Sequence, residues 1–234
     1  MDSRRPIAAS TARSRFADRH EAGVELAAHL RKYHGRNDVV VLALPRGGVP
    51  VGFEVAEALN APLDVFVVRK IGMPGHAEFA IGAIASGGVR VISEDVVRSF
   101  NIPQSAVDEV TRRERAELER REREYREGRP LTELRGRIVI LVDDGLATGS
   151  SMRAAVQAVR AYDPARVVVA VPVGAPETCE QFADVADDTV CARTPEPFSA
   201  VGLWYLDFSE TTDQEVRELL HRHADRTTAG GTRP

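Results

Sequence analysis

The sequence predicts an α/β fold, a doubly wound parallel sheet flanked by helices, with a small hood. Short continuous apolar runs recur along the chain, as expected of strands covered on both faces. They alternate with segments of helical spacing, the order that builds a parallel sheet through helical crossovers. Two of the runs, ending at Leu44 and Val142, lead into loops rich in glycine and small residues. Such loops, at the carboxyl ends of strands, are where an open sheet meets its ligand.

The elements follow in order. Residues 17–33 repeat apolar side chains at Ala22, Leu26, Ala27 and Leu30, which predicts a helix. Residues 39–44 read as a buried strand, 51–59 as a helix and 63–68 as a second buried strand. Residues 79–85 and 89–92 read as shorter strands about the turn Ser86-Gly87-Gly88. Residues 105–127 form a charged helix. Ser105 with Asp108 three residues on resembles a capping pattern, and Glu117/Arg121, Glu119/Arg123 and Glu122/Arg126 stand four apart in the favourable order. Leu118 and Tyr125 give this helix a thin docking stripe. Its interleaved glutamates favour a solvated face, or a partner subunit, over nucleic acid. Residues 138–142 read as a strand, 150–162 as a helix, 167–173 as a strand, 177–183 as a helix, 189–192 as a short strand and 213–223 as the closing helix.

One domain is expected over residues 16–225, with disordered tails at 1–15 and 226–234. The net charge of −4 supplies no field that would steer the chain to nucleic acid or a membrane. No apolar run approaches the ~20 residues of a membrane helix, and residues 1–15 lack the apolar stretch of a secretory signal. Cys179 and Cys191, the only cysteines, read as two buried thiols in a reducing cytosol, so the expected location is the cytoplasm. Of 31 Lys and Arg residues only Lys32 and Lys70 are lysine. The histidines form no metal-ligand spacing. Neither a Gly-Lys-Ser/Thr loop nor Gly-x-Gly-x-x-Gly occurs, which counts against nucleoside triphosphatases and dinucleotide-binding enzymes.

The chemistry centres on Ile138-Val139-Ile140-Leu141-Val142-Asp143-Asp144-Gly145-Leu146-Ala147-Thr148-Gly149-Ser150-Ser151. A strand ends in two carboxylates, a loop of small residues follows, and a helix begins. Bare backbone N–H groups and a helix N-terminus suit a phosphate. Carboxylates suit sugar hydroxyls or a hydrated Mg²⁺. The run resembles the phosphoribosyl pyrophosphate (PRPP) motif of the type I phosphoribosyltransferases. The resemblance implies that Asp143 and Asp144 bind the ribose hydroxyls and that Ala147, Thr148, Gly149, Ser150 and Ser151 hold the 5′-phosphate.

Further motifs extend it. Pro45-Arg46-Gly47-Gly48 is similar to the family's pyrophosphate loop, with Arg46 as a charged fork and the glycines baring N–H groups. Arg69-Lys70 is similar to the basic pair that reaches the pyrophosphate beside a mobile loop. As in adenine phosphoribosyltransferases, the motif reads Asp-Asp-x-Leu-Ala-Thr-Gly, and Glu78-Phe79 resembles their Glu-aromatic pair. That pair would make Glu78 the acid/base group, alongside Arg69 and Lys70, or else a structural residue. Only seven residues separate Lys70 from Glu78, fewer than in that family. The 6-oxopurine enzymes carry an aspartate where this chain has Ala147, so any proton transfer to or from the base comes from elsewhere. Their C-terminal Phe-x-x-Val-Gly…Leu-Asp stretch is similar to residues 198–207. By that resemblance Phe198 or Trp204 stacks the base, or belongs to the core, and Asp207 touches metal or pyrophosphate.

The resemblance thus implies a Mg²⁺-dependent glycosyltransferase of nucleotide metabolism, acting on PRPP and a nucleobase, purine favoured, as a homo-oligomer, with a dimer expected. The rival is a non-catalytic PRPP- or nucleotide-binding regulator. PRPP synthetases are longer and two-lobed, and DNA-uptake relatives carry a Cys-rich region that this chain lacks.

Overall fold

The computed structural model describes residues 15–230. Its centre is a parallel sheet of five strands in the order β2-β1-β6-β7-β8. These are β1 (Val39–Ala43), β2 (Leu63–Val65), β6 (Ile138–Val142), β7 (Arg166–Val173) and β8 (Asp188–Arg193). Every residue of β1 and β6 is buried, because helices cover both faces. Val40, Leu42, Val139 and Leu141 meet Met152, Ala155, Val156 and Val159 of α5 (Ser150–Arg160). Val39, Val41, Ile138 and Ile140 meet Leu26 and Leu30, within and just past α1 (Arg19–His29), and Val51 and Val55 of α2 (Gly48–Leu59). Each Val, Leu, Ile or Met among them contributes about 1.5–3 kcal/mol of burial. The sheet is therefore doubly wound, as the apolar runs predict.

The topology positions the site. From β1 the chain passes through α2 to β2 on one side, and from β6 through α5 to β7 on the other. The winding reverses between β1 and β6, which pair in register from Val39↔Ile138 to Ala43↔Val142. The crevice lies at their carboxyl ends.

A second, antiparallel sheet stands beside it: β3 (Val68–Met73), β4 (His76–Ala85) and β5 (Arg90–Ile92). The expected strand over 63–68 is therefore two strands. The chain leaves the parallel sheet where Phe66 N donates to Ala43 O and Val67 N turns to the buried Ser86 hydroxyl. Between this sheet and the closing helix α7 (Asp213–Gly230) lies α4 (Gln104–Arg126). A short α3 (Glu94–Ser99) precedes α4. As expected, Leu118 and Tyr125 are buried. The three acid–base pairs form: Glu117–Arg121 at 2.8 Å, Glu119–Arg123 at 4.0 Å and Glu122–Arg126 at 2.6 Å. Arg126 is itself buried, with its Nε on Asp64 at 2.9 Å. Ser105 does not cap α4. The cap is Pro103, without a side-chain bond, and the Asp108 carboxylate is taken by Gln104 and Arg90.

The hood joins the first described residues to the segment 204–207. Phe16 N donates to Trp204 O, Leu206 N to Phe16 O and Asp207 N to Ala17 O. The expectation of two thiols is corrected. Cys179 on α6 (Pro176–Gln181) and Cys191 on β8 form a disulfide, which removes the ground on which the cysteines argued for a reducing compartment. Among the described residues no helix is long and apolar enough to cross a membrane. The expected tail at 1–15 falls, but for Arg15, outside the described residues. α7 continues to Gly230, beyond the expected end at residue 223.

Candidate active site

Asp143 and Asp144 sit where β6 ends. Asp143 Oδ1 accepts the Asp144 amide at 2.9 Å. Asp144 Oδ2 accepts Arg19 Nε at 3.0 Å and Nη2 at 2.9 Å, and its backbone carbonyl accepts the Tyr205 hydroxyl at 2.6 Å. Burial pushes both carboxyls above the usual range, and the Asp144 charge raises Asp143 further. Arg19 pulls Asp144 part of the way back.

The following loop is held from below. Leu146 pairs with Gly174 beyond β7: Leu146 N donates to Val173 O and Ala175 N to Leu146 O. Thr178 Oγ1 of α6 donates to Ala147 O at 2.7 Å. Gly149 turns into α5 at φ +70°, a conformation that favours glycine. Around residues 145–152 and Val201 lies a cavity of about 150 Å³, floored by the N-terminus of α5. All five expected phosphate residues, 147–151, line it together with Asp143.

The loop after β1 folds against the acids. A β-carbon on Gly47 would stand 2.1 Å from Asp144 Oδ2, and one on Gly48 2.7 Å from Val142 O. Only glycines admit this approach, so the two expected motifs form one surface. Arg46 is ion-paired to Glu210, with Asp213 at 3.9 Å.

The basic pair lies within β3, not at the end of a parallel strand. Arg69 is paired with Glu114 of α4 at 2.7 Å. Arg69 and Lys70 line a cavity of about 530 Å³ with Arg113, Glu114 and Ser151. Lys70 thus opens onto the same space as the start of α5. The Glu78 side chain lies outside the described residues. Phe198 and Trp204 are partly buried and pack with Phe16, Ala22, Val173 and Tyr205 at the base of the hood. Asp207 is exposed at the rim, its carboxylate accepting Ser209 N at 2.9 Å, and the backbone bond to Ser209 holds its pKa below the usual range. Among the described residues no three His, Cys, Asp or Glu side chains form a metal-holding group.

One site residue, Arg19, carries no sequence signal, and Val201 and Phe208 have their packing roles revealed only by the structure although they lie in or beside the 198–207 stretch. Arg19 lies 125 residues from its partner Asp144. Val201 closes on the loop because Gly145 leaves room for it; a β-carbon there would stand 2.4 Å from Val201 Cγ1. Phe208 stacks at 5.1 Å on Tyr205 and lies 4.1 Å from the Arg19 guanidinium.

An acid pair, a loop of small residues and a glycine loop meet at the switch point of a doubly wound sheet. The family model for the phosphoribosyl transferase domain matches residues 75–198, and the chain belongs to that family. A Mycobacterium tuberculosis protein, provisionally named a phosphoribosyl transferase, is 50% identical over 216 residues, 92% of this chain. The chain spans about half of that relative's length, 48%. The crystal structure of TT1426 from Thermus thermophilus superposes with a TM-score of 0.80 at 46% identity, covering 89% of this chain and 98% of the other.

Proposed function

We propose that the protein transfers the 5-phosphoribosyl group between PRPP and a nucleobase, purine favoured, releasing pyrophosphate. The observation that carries this is the contact of the Gly47 α-carbon region with the Asp144 carboxylate. It makes the ribose acids and the pyrophosphate loop one continuous surface.

In this reading the loop from Ala147 to Ser151, at the N-terminus of α5, holds the 5′-phosphate. Asp143 and Asp144 accept the ribose hydroxyls. Arg46, with the backbone of Gly47 and Gly48, binds the pyrophosphate, and Lys70 with Arg69 approaches from β3. The bond from the anomeric carbon to the pyrophosphate oxygen breaks and a bond to a base nitrogen forms. These groups hold the sugar still and neutralise the leaving group. A proton leaves the attacking nitrogen, and Glu78 on β4 is the residue proposed to take it. Phe198 or Trp204, both only partly buried at the foot of the hood, stacks the base.

Mg²⁺ fits this donor set as a substrate-borne ion. Two adjacent acids, without a third metal-holding side chain among the described residues, suit a cation that keeps its waters and is bound through one or two carboxylates plus substrate phosphates. When bound, it neutralises charge on the leaving pyrophosphate. Asp143 and Asp144 would hold it through ribose hydroxyls or water; Asp207 would join only from the rim.

One observation favours the regulatory alternative: Arg46 and Arg69 are already satisfied by Glu210 and Glu114. The deciding experiment offers Mg-PRPP with adenine, guanine, hypoxanthine, xanthine, uracil and orotate and measures pyrophosphate release. Release with a purine supports transfer. Binding of Mg-PRPP without release from any base supports a regulator, and no binding sinks every reading that rests on PRPP.

A further inference from the structure

Arg19, the first residue of α1, reaches across the hood to the end of β6. Two of its nitrogens, Nε and Nη2, meet one carboxylate oxygen, Asp144 Oδ2, at 3.0 and 2.9 Å. Its third, Nη1, donates to Ser209 O at 2.7 Å. The guanidinium lies 4.1 Å from the centre of the Phe208 ring and 5.9 Å from that of Tyr205. Its side chain is only 12% exposed and that of Asp144 16%. An arginine at a helix start has no local reason to be buried in this way. Its stem and head are held by the hood, and the hood is held by it.

The arrangement divides the Asp144 carboxylate. Oδ2 is wedged between Arg19 and the α-carbon of Gly47, whose absent side chain makes the space. Arg19 engages Oδ2 alone and leaves Oδ1 outside the ion pair. A short acid flanked by two glycines (Gly47 in space, Gly145 in sequence) would otherwise turn freely about its χ angles. A charged fork on one oxygen, with Gly47 packed behind it, fixes where Oδ2 sits and so limits where the other oxygen can point.

We infer that Arg19 is a positioning residue of the ribose site, which orients Asp144 so that Oδ1 accepts a hydroxyl of a bound ribose 5-phosphate group. This rests on the sugar-phosphate reading proposed above. It adds that hydroxyl recognition depends on the N-terminal hood, a part of the chain that the matched family domain over residues 75–198 does not include. Arg19 does not touch the sugar in this account. Its contribution is transmitted through Asp144.

The test compares ribose 5-phosphate with its 2-deoxy and 3-deoxy analogues by titration calorimetry on wild type, Arg19→Gln and Arg19→Lys. Wild type is expected to prefer ribose 5-phosphate over at least one analogue by about ten-fold or more, as a hydrogen bond to a charged acceptor allows. In Arg19→Gln that preference is expected to shrink towards unity, while the deoxy analogue at that position binds within about two-fold of wild type. Arg19→Lys should restore part of it, because a point charge attracts Oδ2 but lacks the second nitrogen that holds it in place. An unchanged preference in Arg19→Gln overturns the inference and leaves the sugar-phosphate reading standing. Equal loss of all three ligands, with a lowered melting temperature, overturns it in favour of a merely structural ion pair. Tighter binding of ribose 5-phosphate overturns it too, since Arg19 would then be a plug. If wild type binds none of the three sugars, the sugar-phosphate reading itself fails.

Discussion

Gly47 and Asp144, from different strand ends, are packed so closely that a single methyl group on Gly47 would stand 2.1 Å from Asp144 Oδ2 and 2.7 Å from its Cγ. The backbone of Gly47 is ordinary, at φ −59° and ψ −32°. Glycine is therefore required for space rather than for a left-handed conformation.

Gly47→Ala tests that relationship without the usual confusion with backbone strain. The methyl group must displace a carboxylate that Arg19 holds in place. Overpacking of this kind costs about 1–3 kcal/mol, and a chain of this size loses about 2–4 °C per kcal/mol. We expect a lowered melting temperature and Mg-PRPP binding weakened by at least about ten-fold. Calorimetry checks the second. Unimpaired binding would mean that the pyrophosphate loop and the ribose acids move independently.

Asp143 links binding to stability in the opposite sense. Burial, and then the charge of Asp144, raise its pKa well above the usual value, so folding penalises its ionised form. The folded chain keeps a proton at pH values where the unfolded chain, with a pKa near ~3.9, has lost it. Stability therefore falls as pH rises from about 4 through the raised folded value. Asp143→Asn removes the charge but keeps an oxygen for the Asp144 amide. The variant should melt above wild type at pH 7 and lose its Mg-PRPP shift. The gap in melting temperature should close below pH ~4. A variant that melts below wild type at pH 7 would refute this account.

What could be read from the sequence follows from which interactions are local. The parallel sheet was legible because strands such as Val39–Ala43 and Ile138–Val142 are apolar throughout. The small-residue loop after β6 was legible because strand, acids, small residues and helix are contiguous. The break after Phe66 was not, since a run that stays apolar gives no sign that Val67 will bond to Ser86, nineteen residues on. Arg19 was illegible for the same reason at greater distance. The cysteines misled because a separation of twelve carries no framework pattern, and only the approach of α6 to β8 brings them together.

That disulfide should be tied to the phosphate loop. It pins α6 to β8, and α6 carries Thr178, which holds the Ala147 carbonyl, and Gln181, which holds Arg153 of α5. Closing a short loop of this kind stabilises by at most about 3 kcal/mol. Paired Cys179→Ser and Cys191→Ser substitution should lower the melting temperature by up to about 6–12 °C. It should also weaken ribose 5-phosphate more than inorganic pyrophosphate, which does not need this loop. Dithiothreitol should reproduce both effects in wild type and neither in the double variant. Insensitivity of wild type to the reductant would show that the brace does not depend on the bond.

Glu210 stands where a leaving group is expected. It pairs with Arg46, the cation assigned to pyrophosphate, and is itself 73% exposed. Pyrophosphate must take Arg46 from it, so the pair subtracts from affinity rather than adding to it. The magnitude follows from exposure. Solvated ion pairs contribute about 0.2–1 kcal/mol, so Glu210→Gln should tighten pyrophosphate and Mg-PRPP by no more than about five-fold. Asp213, farther from Arg46 at 3.9 Å and bound by the Tyr125 hydroxyl, does not take over its role. The gain should fade in high salt, where screening already weakens the Glu210 contact in wild type. Affinity measured at about 20 mM and 500 mM salt on both proteins checks this, and weaker binding by Glu210→Gln at low salt would make Glu210 a support of Arg46 instead of its competitor.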